Sequence, residues 1–293
     1  MSIVVSECYI YPLKSGGAQR VEKLHVLPRG PRNDREWMLV DENGRFLSQR
    51  DKGCEKLSLV TSTYNGDVIL FYAEDKDVLS LNSALIEKET SVSIWKDDCT
   101  AYDAGDQAAR WFSDYLGLDC RLVKLSEQEN HKRLLKEKWG YKGAHVGFAD
   151  GFPLLITSHP SLNTLKENIE GDDDITMGRF RPNIVLNGNL AFEEDILYDI
   201  RIGEVRLHLV KPCTRCKITT VDQETGQTPS KEPLKTLTRV RRGKSDDLVG
   251  VFFGQNAVPM EYGDISEGDV VEVIQRREMH SALRDAVLRY TGS

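Results

Sequence analysis

Apolar positions in the first hundred residues fall in short alternating or continuous runs, not at helical spacing. IVVSECYIY, REWMLVD, RFLSQR, LSLVTSTY, VILFYA, VLSLN and SVSIW are rich in Val, Ile and aromatic side chains, which suit a pleated, half-buried surface. Asn43-Gly44 and Asn65-Gly66 each join two such runs, and Asn-Gly supplies the positive φ that a tight hairpin turn requires. The pattern predicts a compact antiparallel β unit. At Asp106 the period changes. Ala108, Trp111, Phe112, Tyr115 and Leu116 share one helical face behind an Asp cap, and Gly117 ends the run.

Residues 126–142, SEQENHKRLLKEKWGYK, are charged and read as a connector containing one solvated helix. Beyond them PLLIT is a buried strand, and Pro160 opens a helix with Leu162, Leu165 and Ile169 on one face. NIVLN follows a polar GDDD loop. EVRLHLV alternates, with Val205, Leu207 and Leu209 on one face and Arg206 and His208 on the other. KITTV, LVGVFFGQN and GDVVEVI add strands, and Met279, Ala282, Leu283, Ala286, Val287 and Tyr290 predict a terminal amphipathic helix. The expected class is mainly β (α+β). Two β-rich units at 1–122 and 123–275 carry peripheral helices and end in a helix at 276–293.

The chain has 293 residues, enough for two cores without metal or disulfide staples. Its 39 Lys and Arg against 46 Asp and Glu leave a net charge of −7, which argues against nucleic acid or an anionic membrane as partner. An anionic ligand would need a local cationic pocket. The start reads directly into strand residues with no leader pattern, and no apolar stretch approaches ~18 residues, so the expectation is a cytoplasmic protein without a membrane span. The six cysteines, at 8, 54, 99, 120, 213 and 216, do not form a disulfide framework.

Cys213 and Cys216 stand in KPCTRCKITT. A structural zinc site needs a second ligand pair, and there is neither another C-x-x-C nor an H-x-x-x-H. A thioredoxin-type pair needs a helix after the thiols, where KITTV reads as strand. Two further readings stay open: packed thiols at a turn, or a lone thiolate for a soft metal that brings its other ligands. Arg215 and Lys217 would favour the second electrostatically.

KPCTRCKITTVDQETGQ, continuing to KEPLKTLTRVRRG, resembles the cysteine-bearing core of the MOSC domain, named for the molybdenum cofactor sulfurase C-terminus. YPLKSGGAQRVEKLHVLPRGPRNDREWMLVDENGRFLSQR resembles the N-terminal β-barrel domain that precedes MOSC in YcbX-type proteins and mitochondrial amidoxime-reducing components. The resemblance implies a molybdenum–molybdopterin cofactor with Cys216 as metal ligand. Lys14, Ser15, Arg35, Arg181 and Asn183 would contact the cofactor, and Asp150 would stand beside the metal with a role in proton delivery. In the mitochondrial relatives hydroxylic residues follow that aspartate. Here they are Gly151 and Phe152, so contacts would come from backbone N–H groups or from Thr157 and Ser158.

The implied activity is reduction of N-hydroxylated small molecules: amidoximes, hydroxylamines and N-hydroxylated bases. Because no ferredoxin domain fits the remaining residues, electrons would come from a separate flavin or iron–sulfur reductase. The alternative is a non-redox cofactor carrier or sulfur-transfer protein that works with a pyridoxal-phosphate desulfurase. Arg239, Arg241 and Arg242 form a second basic cluster, read as a solvated loop, a substrate rim or a docking surface. Asp222 is expected to pin its own turn.

Overall fold

The computed structural model describes residues 2–284. Val4–Ile10, the first strand, pairs within the N-terminal unit only with the two-residue strand Gln19–Arg20. It runs antiparallel to Ile184–Asn187, inside a sheet built mainly from the second half of the chain. From Ile184–Asn187 the order continues through Leu154–Ser158, Val249–Glu261, Val205–Thr214 and Leu197–Ile202 to Val271–Arg276. The two ends of this sheet meet: Val271 N–H donates to Ile3 and Val5 N–H to Asp269, both at 2.9 Å. The strand faces that alternate inward, among them Val5, Leu154, Ile156, Leu186, Ile200, Leu207 and Leu209, fill the enclosed core.

The N-terminal unit contributes a second sheet, in which Trp37–Val40, Arg121–Leu125, Asp97–Asp103 and Glu89–Ile94 are neighbours in that order. A three-stranded meander, Thr61–Asn65, Val68–Tyr72 and Leu79–Asn82, stands beside it. The Asn65-Gly66 hairpin forms as expected, whereas Asn43-Gly44 closes a tight turn with only a Val40–Phe46 bridge beyond it. Helix α1, Asp106–Leu116, buries Ala108, Trp111, Phe112 and Leu116 and ends at Gly117 with φ 72°. Its N-cap is Gly105, with Asp106 in the first turn. Helix α2, His159–Glu167, follows Leu154–Ser158 directly.

Two expectations differ from the structure, and one helix was not foreseen. The connector holds no α-helix, only 3-10 turns at Glu129–His131 and Glu137–Trp139 and the short strand Arg133–Leu134. Buried Arg133 holds it extended by donating to the Gly147 and Ala149 carbonyls and to Asp97. KITTV is not a strand. The Thr219 and Thr220 hydroxyls donate back to the Cys216 and Lys217 carbonyls, which closes a 3-10 turn over Lys217–Thr220. Helix α3, Leu234–Val240, has no counterpart in the sequence reading; it buries Thr236, Leu237 and Val240. Of the terminal helix, residues 281–284 are helical, with Ala282 and Leu283 packed against Leu248 and Phe252. Its later positions lie outside the described residues.

Candidate functional site

The chain crosses from the large sheet to the N-terminal sheet just after Ile10. Lys14 N–H donates to the Trp37 carbonyl at 2.7 Å, so Lys14 and Ser15 are fixed at the seam between the two units. Arg35 reaches the same seam from the opposite direction, its N–H bonded to the Tyr11 carbonyl. Arg181 and Asn183 arrive just before the strand Ile184–Asn187, and Cys216 follows the strand Val205–Thr214.

These elements enclose a cleft of about 810 Å³ including its open mouth. Lys14, Ser15, Arg35, Asp150, Arg181, Asn183 and Cys216 all line it. Ser158 does not. It is fully buried at the N-cap of α2, where its hydroxyl also donates to Glu194 at 3.1 Å, and Thr157 is turned to the Met177 sulfur. Both hydroxyls are thus buried and bonded away from the cleft. Gly151 and Phe152 line the cleft instead, and a Cβ on Gly151 would meet no atom within 4 Å.

The lining includes Lys14, Arg35, Arg50, Arg181 and Arg215, with Asp150 the carboxylate among them. Arg35 donates to buried Asp34 at 2.6 Å, to Asn183 and to the Arg181 carbonyl. The Arg35 and Arg181 guanidinium carbons lie 4.2 and 4.3 Å from the centroid of the Tyr11 ring. Burial pulls Arg181 down to about 10, yet it remains a cation at neutral pH. Its Nη2 is buried without a hydrogen-bond partner. Ser15, Arg35 and Arg181 have φ of 66°, 47° and 56°, so three of the seven described non-glycine residues with positive φ line one cleft.

Lys14 Nζ donates to the Phe148 carbonyl at 2.8 Å and to Asp150 at 2.5 Å. Burial lowers the Lys14 ammonium below the ordinary lysine value, against the pull of Asp150. For Asp150, burial would raise the carboxyl, but Lys14 and Arg50 together outweigh it and hold it below the usual carboxylate range. Burial thus dominates at the lysine and pairing at the acid. The Asp150 side chain keeps 52% of its surface exposed, facing the open cleft.

Arg50 is a site residue that the sequence reading missed. Its Nε lies 3.3 Å from Cys216 Sγ and its Nη2 3.1 Å from Asp150. RFLSQR lay inside the block that carried the resemblance, but nothing local in it separates Arg50 from a surface arginine. Cys213 also lines the cleft and accepts from Arg215 Nη1 at 2.9 Å, and Asp222 accepts from the Glu224 and Thr225 N–H groups and so pins its turn. The second basic cluster does not behave as one surface. Arg239 pairs with exposed Glu170, while Arg241 is 1% exposed and paired at 2.5 Å with buried Asp195, so it is part of the core.

Two β units share one cationic cleft, into which the thiols of Cys213 and Cys216 open at the end of the strand Val205–Thr214. Residues 2–119 match the MOSC N-terminal beta barrel domain and residues 143–272 the MOSC domain. Mitochondrial amidoxime reducing component 2 of Bos taurus is 33% identical over 284 residues, spanning 91% of this chain and 82% of that protein. Mitochondrial amidoxime-reducing component 1 of Danio rerio is 31% identical over 280 residues, spanning 92% and 84%. The chain belongs to this family of MOSC-domain proteins. It is also 29% identical over 285 residues to the molybdenum cofactor sulfurase of Drosophila persimilis, covering 90% of this chain but 34% of that one.

Proposed function

We propose that this chain binds the molybdenum cofactor and reduces N-hydroxylated small molecules with electrons from a separate reductase. The observation that carries the reading is the convergence of Lys14, Ser15, Arg35, Asp150, Arg181, Asn183 and Cys216 on one cationic cleft in a protein of net charge −7. The residues present fit such a group. Arg181 offers a buried donor without a partner, which suits a phosphate, and each charge-assisted bond contributes about 1.5–3 kcal/mol. Among the described residues no cluster of three or more His, Cys, Asp or Glu is gathered for a metal, so a metal here must bring most of its ligands with it. A pterin dithiolene does so, leaving one soft position for Cys216.

Bound, the group supplies a two-electron centre that accepts oxygen; the net change is R–NH–OH plus two electrons and two protons giving R–NH2 and water. Lys14, Arg35 and Arg181 would hold the anionic tail, and Arg50 would orient Cys216 and Asp150 together. Asp150, kept ionised by Lys14 and Arg50, is suited to accept a hydrogen bond from a substrate N–H rather than to store a proton. The exposed side of its carboxylate leaves room for that contact.

The test is metal and pterin analysis of protein from a cofactor-producing host, comparing wild type, Cys216→Ala and Cys213→Ala, together with donor-linked amidoxime reduction. Molybdenum should be lost only from Cys216→Ala. Equal molybdenum in wild type and Cys216→Ala removes Cys216 as ligand. Metal-free protein carrying transferable sulfane sulfur would favour the sulfur-transfer alternative.

A further inference from the structure

Trp95 takes no part in the hydrogen bonding of the cleft, yet its placement is unfavourable by itself. It sits in the turn between Glu89–Ile94 and Asp97–Asp103 with φ 60°, a conformation that a bulky side chain avoids and that asparagine or glycine adopts readily. It is also 54% exposed, which leaves much of the indole in water. It does not itself line the cleft but stands beside a residue that does, Arg50. The Arg50 guanidinium carbon lies 4.6 Å from the Trp95 ring centroid, and the Phe46 ring meets it edge-on at 5.0 Å. Phe46 in turn lies under Lys14 Nζ at 5.0 Å.

The aromatic pair therefore backs the two cations that grip Asp150. A single guanidinium separates Trp95 from Cys216, since Arg50 contacts both. A half-exposed ring held in a strained turn beside a reaction site is poorly explained by packing alone. We infer that Trp95 is a specificity-determining residue, a stacking platform at the edge of the cleft that selects N-hydroxylated substrates with a flat, π-conjugated substituent over small aliphatic ones. The inference deepens the proposed reductive function and rests on it. An indole face binds a planar ring through offset stacking or edge contact, and a methyl group in the same place forfeits most of that contact.

The test compares benzamidoxime with acetamidoxime, which share the reacting group and differ in the substituent. Trp95→Asn removes the ring while suiting the turn, so the fold survives, and Trp95→Phe keeps a ring. In cofactor-loaded Trp95→Asn, the ratio of kcat/KM for benzamidoxime to that for acetamidoxime should fall about two- to tenfold, chiefly through KM, and Trp95→Phe should recover much of it. Molybdenum and pterin content are measured on the same preparations, because a ring that merely propped Arg50 would show its loss there and in both substrates equally.

Calorimetric binding of benzamidoxime to the oxidised holoenzyme, without donor or turnover, gives a readout independent of activity. Affinity should weaken in Trp95→Asn by a similar factor. An unchanged substrate ratio, an equal loss on both substrates, or an affinity that ignores the substitution overturns the platform. Wild-type protein that binds benzamidoxime but reduces neither compound would count against the reductive function while leaving the platform standing.

Discussion

Arg50 Nε and Cys216 Sγ stand 3.3 Å apart although 166 residues separate them in the chain. Arg50 is also bonded to Asp150, so one planar fork ties the thiol to the carboxylate across the seam of the two units. Arg50→Lys keeps the charge but cannot make both contacts with fixed geometry. Loss of a bond to a charged group is worth about 1.5–3 kcal/mol, so kcat/KM of the loaded protein should fall roughly ten- to a hundredfold. Steady-state kinetics with metal content measured in parallel checks this; wild-type rates in Arg50→Lys would refute it.

Asp150 is held below the ordinary carboxylate range because Lys14 and Arg50 outweigh the effect of burial. It stays ionised between about pH 5 and 9, so it should contribute no acid limb to the rate profile there. Asp150→Asn should lower kcat/KM without changing the shape of that profile. A limb near neutrality that vanishes in Asp150→Asn would show that the carboxyl is a proton donor after all.

Gln49 and Gln223 exchange amide hydrogen bonds at 3.1 and 2.9 Å, joining the two units behind the cleft, and Arg181 donates to Gln223 as well. Gln49 is 1% exposed and its Nε2 also donates to the Ser15 carbonyl, so removing Gln223 strands its buried Oε1 at a cost of about 1–3 kcal/mol. Gln49→Leu and Gln223→Leu should each destabilise the fold by that order, and the double variant by less than the sum. Denaturant melts of the four proteins measure the coupling. Strict additivity would mean the pair does not act as a clasp.

Arg241 and Asp195 form a buried pair, each 1% exposed, and Gln255 also donates to Asp195. Arg241→Met leaves an uncompensated carboxylate and should cost about 3–5 kcal/mol. Arg239→Ala, at an exposed pair with Glu170, should stay within about 1 kcal/mol of wild type. Thermal and chemical denaturation will separate the two; equal effects would contradict the burial of Arg241.

Glu194 is fully buried, and burial with nearby Asp195 raises its carboxyl to about 7. A raised acid binds its proton more tightly folded than unfolded. Stability therefore falls as pH rises from the ordinary glutamate value of about 4.3 towards 7 and levels off above it. Glu194→Gln should flatten that slope, as followed by melting temperature from pH 4.5 to about 8. A slope that persists unchanged in the variant would assign the effect to another group.

The sequence by itself determined the β-rich class, the strands PLLIT, NIVLN and EVRLHLV, helices α1 and α2 and the seven residues that meet in the cleft. The strands and helices were legible because hydrophobic period and turn chemistry are local, and the site because resemblance carried those residues over position by position. Tertiary structure alone decided the rest. Val4–Ile10 pairs with a strand some 180 residues later, a choice that no local preference encodes. Arg50 joins the site and Arg241 the core because of their partners, Cys216 and Asp195, and identical side chains in a sequence do not announce which will be buried. Ser158 failed as a cleft residue because the cap of α2 and Glu194 claim its hydroxyl. The connector and KITTV failed because Arg133 and the threonine hydroxyls bond the backbone into shapes their apolar pattern does not favour.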